Sequence, residues 1–179
     1  AKRVNLQDPS KVSLVIARGH WRDSYKANLC DFYDHYVKYY GLSWTKPKYR
    51  RDHKLPYVPK EESIDLIISH ASRKYALIYR LMKECGLRPI EVSRLTLRDI
   101  DLERGILRVY SAKGGNPRSF KLKGKTHSLL IEYVKKHGFS LDDRLFPESS
   151  KISNAFGKLK TSLARRYNDP ELKKIRLYD

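Results

Sequence analysis

At 179 residues the chain suits one domain of ordinary size, or a small lobe joined to a larger one, and an apolar fraction of 40% is enough for a packed core rather than a disordered basic tail. Its 38 Lys+Arg against 20 Asp+Glu leave a formal charge of +18, so the expected partner is an anion. No apolar stretch approaches the ~18 residues that a membrane span requires, no signal-peptide pattern opens the sequence, and Cys30 and Cys85 lack the spacing of a disulfide framework or zinc cage, so a reducing, cytoplasmic setting is expected.

Lys11 to Ala17 reads as a short helix cut off from whatever precedes it. Residues 21–41 read as an amphipathic helix, with Tyr25, Leu29, Phe32, Tyr36 and Tyr40 recurring at helical spacing and Gly41 as its stop. The next stretch, Ser43 to Glu62, has another character. Pro47, Pro56 and Pro59 forbid a long helix, and Lys46, Lys48, Arg50, Arg51 and Lys54 make it basic. It reads as a linker that either tracks DNA or is merely a solvated connector. Pro59-Lys60-Glu61-Glu62 opens a helix to about His70, with proline and acids where a first turn tolerates a missing donor and favours negative charge. Residues 72–85 form the clearest helix, lined by Tyr75, Ile78, Tyr79, Met82 and Cys85 and ended by Gly86. Pro89 then pre-sets a helix through Leu95.

Gly105 to Ala112 reads as a strand, 113–117 as a turn, and Arg118 to Leu122 as the returning partner. Two helices follow, about 126–137 closed by Gly138 and about 153–167 opened by Ser153 as N-cap. The expected fold is therefore mainly α with a small antiparallel β-hairpin or sheet (α+β). It divides into a helical piece (1–42), a basic proline-containing linker (43–58) and a mainly helical domain (59–179). The chain begins Ala1-Lys2 and stops at Leu177-Tyr178-Asp179 without a residue that closes an element, which reads as a fragment trimmed at one or both ends.

Nucleic acid is the expected polyanion. The 13 Tyr outnumber 5 Phe and 2 Trp, and the basic residues run along the whole chain rather than one face of a membrane-surface helix. Tyr interleaved with Lys and Arg suits phosphate and sugar contacts.

Most constellations of enzyme chemistry are absent. His20, His35, His53, His70, His127 and His137 show no two-histidine spacing for zinc, so no metal site is expected. Gly114-Gly115 is a turn signal, and Asp142-Asp143 lies in a polar loop as a solvated cap. Chemistry, if present, must use the positive residues. Arg88 sits in a packed corner, Gly86-Leu87-Arg88-Pro89-Ile90-Glu91-Val92, where Glu91 lies one turn away and can brace the guanidinium. A fixed arginine suits a phosphate because its planar fork donates two parallel hydrogen bonds; the alternative is an ordinary structural Arg–Glu pair. Lys113 stands at the hairpin tip, where a Gly-Gly turn lets its amine enter a groove, with Arg118 and Lys121 adding charge on the returning strand.

The arginine corner, followed by Leu95-Thr96-Leu97-Arg98-Asp99-Ile100-Asp101 and a strand into Ala112-Lys113-Gly114, resembles the tyrosine recombinases of the phage-integrase family. Residues 55–179 carry this resemblance well and 11–54 loosely, as the last part of that family's helical core-binding domain. It implies a protein that clamps DNA and attacks a phosphate with a tyrosine, leaving a 3′-phosphotyrosyl link and a free 5′-hydroxyl. Strands are then exchanged among four protomers through a branched junction. No cofactor is implied. By match, Arg88 holds the non-bridging oxygens, Lys113 protonates the leaving 5′-oxygen and Glu91 supports them. The family's His-x-Leu-Arg-His would place Tyr178 at the first histidine position, with the second arginine and the nucleophilic tyrosine lying beyond residue 179. The resemblance thus implies double-stranded and branched DNA as partners, a homo-tetramer for the parent protein, a nucleoid-associated location, and a chain that binds DNA without cutting it. A non-enzymatic basic nucleic-acid-binding protein and an inactive recombinase relative acting as a DNA clamp are the other readings.

Overall fold

Helix α1 (Pro9–Arg18) starts where Asp8 accepts the backbone N–H of Lys11 at 3.1 Å and Pro9 needs no donor. In the computed structural model, which describes residues 4–51, 55, 57–111 and 116–177, α1 packs on α2 (Asp23–Tyr40). These helices belong to the first of two compact units, Ala1–Leu55 and Pro56–Asp179.

The core of the first unit is Val12 and Ile16 against Cys30, Tyr33 and Val37, closed by the Tyr33 hydroxyl donating to the Leu6 carbonyl at 2.7 Å. Of the stripe expected from sequence, Leu29 and Tyr36 are partly buried and pack on this core, whereas Tyr25, Phe32 and Tyr40 are exposed. The fully buried stripe is offset from it and runs through Ala27, Cys30, Tyr33 and Val37, its small residues letting two helix axes approach closely. After Gly41 the chain runs without regular structure, yet Leu42, Trp44 and Tyr49 still pack on this core. Trp44 donates to Ser13 Oγ at 2.8 Å and meets Tyr33 edge-on.

The second unit is built from α3 (Glu61–Ser69), α4 (Arg73–Cys85), α5 (Pro89–Ser93), strands β1 (Ile100–Asp101), β2 (Ile106–Val109) and β3 (Arg118–Lys121), α6 (Gly124–His137) and α7 (Ser149–Arg166). Ile67, Ile78, Leu81, Leu107, Leu130 and Ile152 are wholly buried in one cluster that every helix except the short α5 anchors with an aliphatic side chain of this set, α5 adding Val92. The sheet is antiparallel in the order β1-β2-β3, with Leu107 facing Ile100 on one side and Phe120 on the other. The expected hairpin thus gains a third strand, whose two residues are too short to leave an alternation pattern. Gly105, at φ +65°, makes the β1–β2 turn, and a side chain there would press on His127 at 3.1 Å.

Two helix starts differ from expectation. α7 begins at Ser149, so Ser153 is an exposed position inside it rather than its cap. α6 begins at Gly124, where Glu84 of α4 accepts from the Lys123 backbone N–H and, at 2.8 Å, from Thr126 Oγ1. That cap comes from another helix, 39 residues away in sequence, so local pattern does not reveal it.

Candidate functional site

The arginine corner is made by how α4 stops. Gly86 takes the left-handed conformation at φ +59°, and the N–H groups of Gly86 and Leu87 both reach the Met82 carbonyl. Leu87 is buried and pins the turn. Arg88 then becomes the extended N-cap of α5, its carbonyl accepting from the N–H groups of Glu91 and Val92 at 2.9 and 3.1 Å, with Pro89 at the position that needs no donor. Glu91 reaches back, its Oε2 accepting the Arg88 backbone N–H at 2.9 Å.

The sheet delivers a second arginine to the same carboxylate. Arg118 opens β3 opposite Val109, and its Nη2 donates to Glu91 Oε2 at 2.9 Å. Glu91 is fully buried, whereas the Arg88 and Arg118 side chains are 47% and 41% exposed. Arg88 Nη1 stands 3.6 Å from Glu91 Oε1, close enough for ion pairing but outside hydrogen-bond range. Glu91 Oε1 accepts no hydrogen bond from any described residue. One buried carboxylate between two half-exposed guanidiniums carries a net positive charge of one, and both forks have a face toward solvent. Such a pair can seat an oxyanion. Arg118 also lies over the Phe120 ring at 5.7 Å, which fixes its stem.

Other sequence-predicted site residues fall elsewhere. Lys121, at the far end of β3, donates to the Arg104 carbonyl. Lys113, Lys54 and Tyr178 lie outside the described residues. Lys46 and Arg51 both converge on Asp31 of α2, Lys46 at 2.7 Å, and the hydrogen bond from Lys46 followed by that from Arg51 holds the Asp31 carboxyl below the usual carboxylate range. Lys48 and Arg50 are exposed. The solvated-cap reading fits Asp143, which accepts the Ser140 N–H at 2.8 Å, whereas Asp142 instead forms an ion pair with Arg98.

Among the described residues no group of three or more His, Cys, Asp or Glu side chains is arranged to hold a metal ion, and no helix is long and apolar enough to cross a membrane. Burial drives the phenols of Tyr79 and Tyr133 above the ordinary tyrosine value. Tyr167 Oη is 3.0 Å from His70 Nε2. The pairing of Arg118 with Glu91 was not expected from sequence. The register of β2 on β3 is the signal that would have revealed it, since pairing Val109 with Arg118 brings that arginine beside the corner.

The model of the phage integrase family matches residues 60–173. The tyrosine recombinase XerA of Saccharolobus solfataricus (strain ATCC 35092 / DSM 1617 / JCM 11322 / P2) is 35% identical over 101 residues, 56% of this chain, and the match spans 33% of that relative's length. Among solved structures, the integrase of transposon Tn1549 in complex with transposon right end DNA superposes with a TM-score of 0.66 at 16% identity, covering 98% of this chain and 69% of that one. The XerA recombinase crystal structure gives 0.53 at 15% identity, covering 98% and 74%. At such identities the likeness is one of fold.

Proposed function

The chain belongs to the phage integrase family, and on that premise we propose that the protein carrying it performs site-specific DNA recombination, cutting and rejoining strands through a 3′-phosphotyrosyl link. The observation that carries this reading is the arginine corner itself: Arg88 is half exposed, held by its backbone to a buried carboxylate, and not hydrogen-bonded through its guanidinium to that carboxylate. Phosphoryl transfer asks the protein chiefly for positioning and positive charge, which such a corner supplies. In this reading Arg88 holds the non-bridging oxygens as charge builds in the transition state. Lys113 gives a proton to the departing 5′-oxygen, and Glu91 fixes the corner. The phosphotyrosyl link conserves the energy of the broken phosphodiester, so resealing calls for no nucleotide.

Residues 1–42 serve as part of a core-binding domain, 43–58 as a DNA-facing linker, and 59–179 as the N-terminal part of the catalytic domain. Duplex DNA and branched junctions are the partners, held by a homo-tetramer of the parent protein in a nucleoid-associated, cytoplasmic setting. Lys46, Lys48, Arg50, Arg51, Lys54, Arg118 and Lys121 supply phosphate contacts. The chain of 179 residues binds DNA without cutting it: no residue in it matches the family's second arginine or its nucleophile. The displaced phenols of Tyr79 and Tyr133 also move away from the ionised, attacking form. A covalent protein–DNA adduct formed by this chain alone would overturn that point.

The decisive test is Arg88→Ala in the protein that carries this segment, assayed on its own DNA site. Strand cleavage should fall by roughly 10²–10³-fold, as for loss of one transition-state donor. DNA affinity should drop only by about one phosphate contact. A protein that binds DNA without ever cleaving it, before or after the substitution, is the non-enzymatic binder instead.

A further inference from the structure

We propose that Arg118 is a positioning residue for Arg88: by neutralising buried Glu91 it keeps the Arg88 guanidinium available for a phosphate. This rests on the reading of Arg88 as a phosphate-binding group and adds the device that leaves it free. Three facts combine. Glu91 is fully buried, so its charge must be matched by a cation. The cation that hydrogen-bonds it is Arg118, at 2.9 Å on Oε2, the same oxygen that accepts the Arg88 backbone N–H. The other oxygen, Oε1, is buried, accepts no hydrogen bond from a described residue and stands 3.6 Å from Arg88 Nη1.

The Arg88 guanidinium is thus poised between two fates. With Arg118 in place, Glu91 is already compensated, and Arg88 gains little by closing the remaining gap. Without Arg118, among the described residues, the buried carboxylate is left with one backbone donor, and its remaining ion-pair partner is Arg88 itself. A shift of well under 1 Å would bring Nη1 to the ordinary hydrogen-bond distance of about 2.9 Å. Arg88 then becomes the structural Arg–Glu pair that the seven residues of the corner also allow. Arg118 decides which arrangement holds, although it lies 30 residues from Arg88 in sequence. The β2–β3 hairpin therefore does more than carry Lys113: its returning strand sets the state of the corner.

The test follows the Arg88 Nε–H resonance of the 179-residue chain by ¹⁵N NMR while inorganic phosphate is added. In the unmodified chain the resonance should move on phosphate addition. Arg118→Met should weaken that response about tenfold, the scale of one charge-assisted hydrogen bond. The informative variant is the double, Arg118→Met with Glu91→Gln. With no buried charge left to capture Arg88, the response should recover at least about threefold over Arg118→Met, short of Glu91→Gln alone only by the contact that Arg118 itself makes with phosphate. If Arg118 acts only by touching the phosphate itself, the double variant stays weak, and the proposal is overturned. A response in Arg118→Met equal to that of the unmodified chain overturns it as well.

Arg118→Lys carries the test independently should the methionine variant unfold. An ammonium can still neutralise Glu91, so the Arg88 response should persist; its loss would contradict the positioning role. An unmodified chain whose Arg88 ignores phosphate would instead defeat the reading of Arg88 as a phosphate-binding group, and this proposal with it. The two failures are therefore told apart by the first titration.

Discussion

Burial in the second core pushes the Cys85 thiol up to about 11, with the neighbouring Glu84 charge adding to the effect. At pH 8 about one thiol in a thousand is then ionised, and the thiolate is the reactive form. Cys85 is expected to resist iodoacetamide in the folded chain at pH 8 and to react once the chain is unfolded in urea. Modification in the native state at the rate of a free thiol would contradict the packing described. Asp31 moves the other way. Its folded value lies below the ordinary ~3.9, so its pairing favours the folded form above that pH and ceases to do so as pH falls through the lowered value. Lys46→Met should bring the Asp31 carboxyl titration, followed by NMR, back up toward the ordinary value; an unmoved midpoint would mean that Lys46 does not hold it. Legibility at this scale was uneven. Arg88 and Glu91 lie three residues apart, so their proximity follows from one helical turn. That Glu91 is fully buried and shared with Arg118 depends on a strand register linking residues 27 apart, which no local pattern encodes.

For the elements, helix ends marked by glycine were legible because a left-handed residue is a local requirement: α2, α4 and α6 stop at Gly41, Gly86 and Gly138, all at positive φ. Starts and phases were less so. α6 is capped by Glu84 from another helix, and the inward stripe of α2, through Ala27, Cys30, Tyr33 and Val37, is offset from the stripe that its aromatic periodicity suggests. The elements that carry the site are also those whose disruption should be costly. Leu107 is wholly buried in the middle strand, between Ile100 and Phe120. Leu107→Ala should lower the unfolding free energy by about 2–5 kcal/mol through lost transfer energy and a residual cavity. Urea unfolding checks it, and a loss below about 1 kcal/mol would mean that the sheet is not packed as described. At Gly86 the space around a would-be side chain is open, so Gly86→Ala should cost only the left-handed strain of about 1–2 kcal/mol.

Over the whole molecule, the mainly α fold with a small antiparallel sheet was legible because helical periodicity, turn glycines and one strand–turn–strand pattern all pointed the same way. So was the family, through the order of corner, Asp-Ile-Asp and hairpin rather than any one residue. The charge of +18 carries a consequence that belongs to no single site: much of the affinity for DNA should come from phosphates and released counterions. The measurement that bears most directly on the proposal of DNA binding with a phosphate seated at the arginine corner is therefore the chain's affinity for labelled duplex DNA at stepped salt, unmodified and as Arg88→Ala. The expected result is a log affinity that falls linearly with log salt by about 0.9 per phosphate contact, with several contacts in total, and a slope reduced by about one in the variant. An affinity that hardly changes with salt, or a slope untouched by the loss of Arg88, would contradict it.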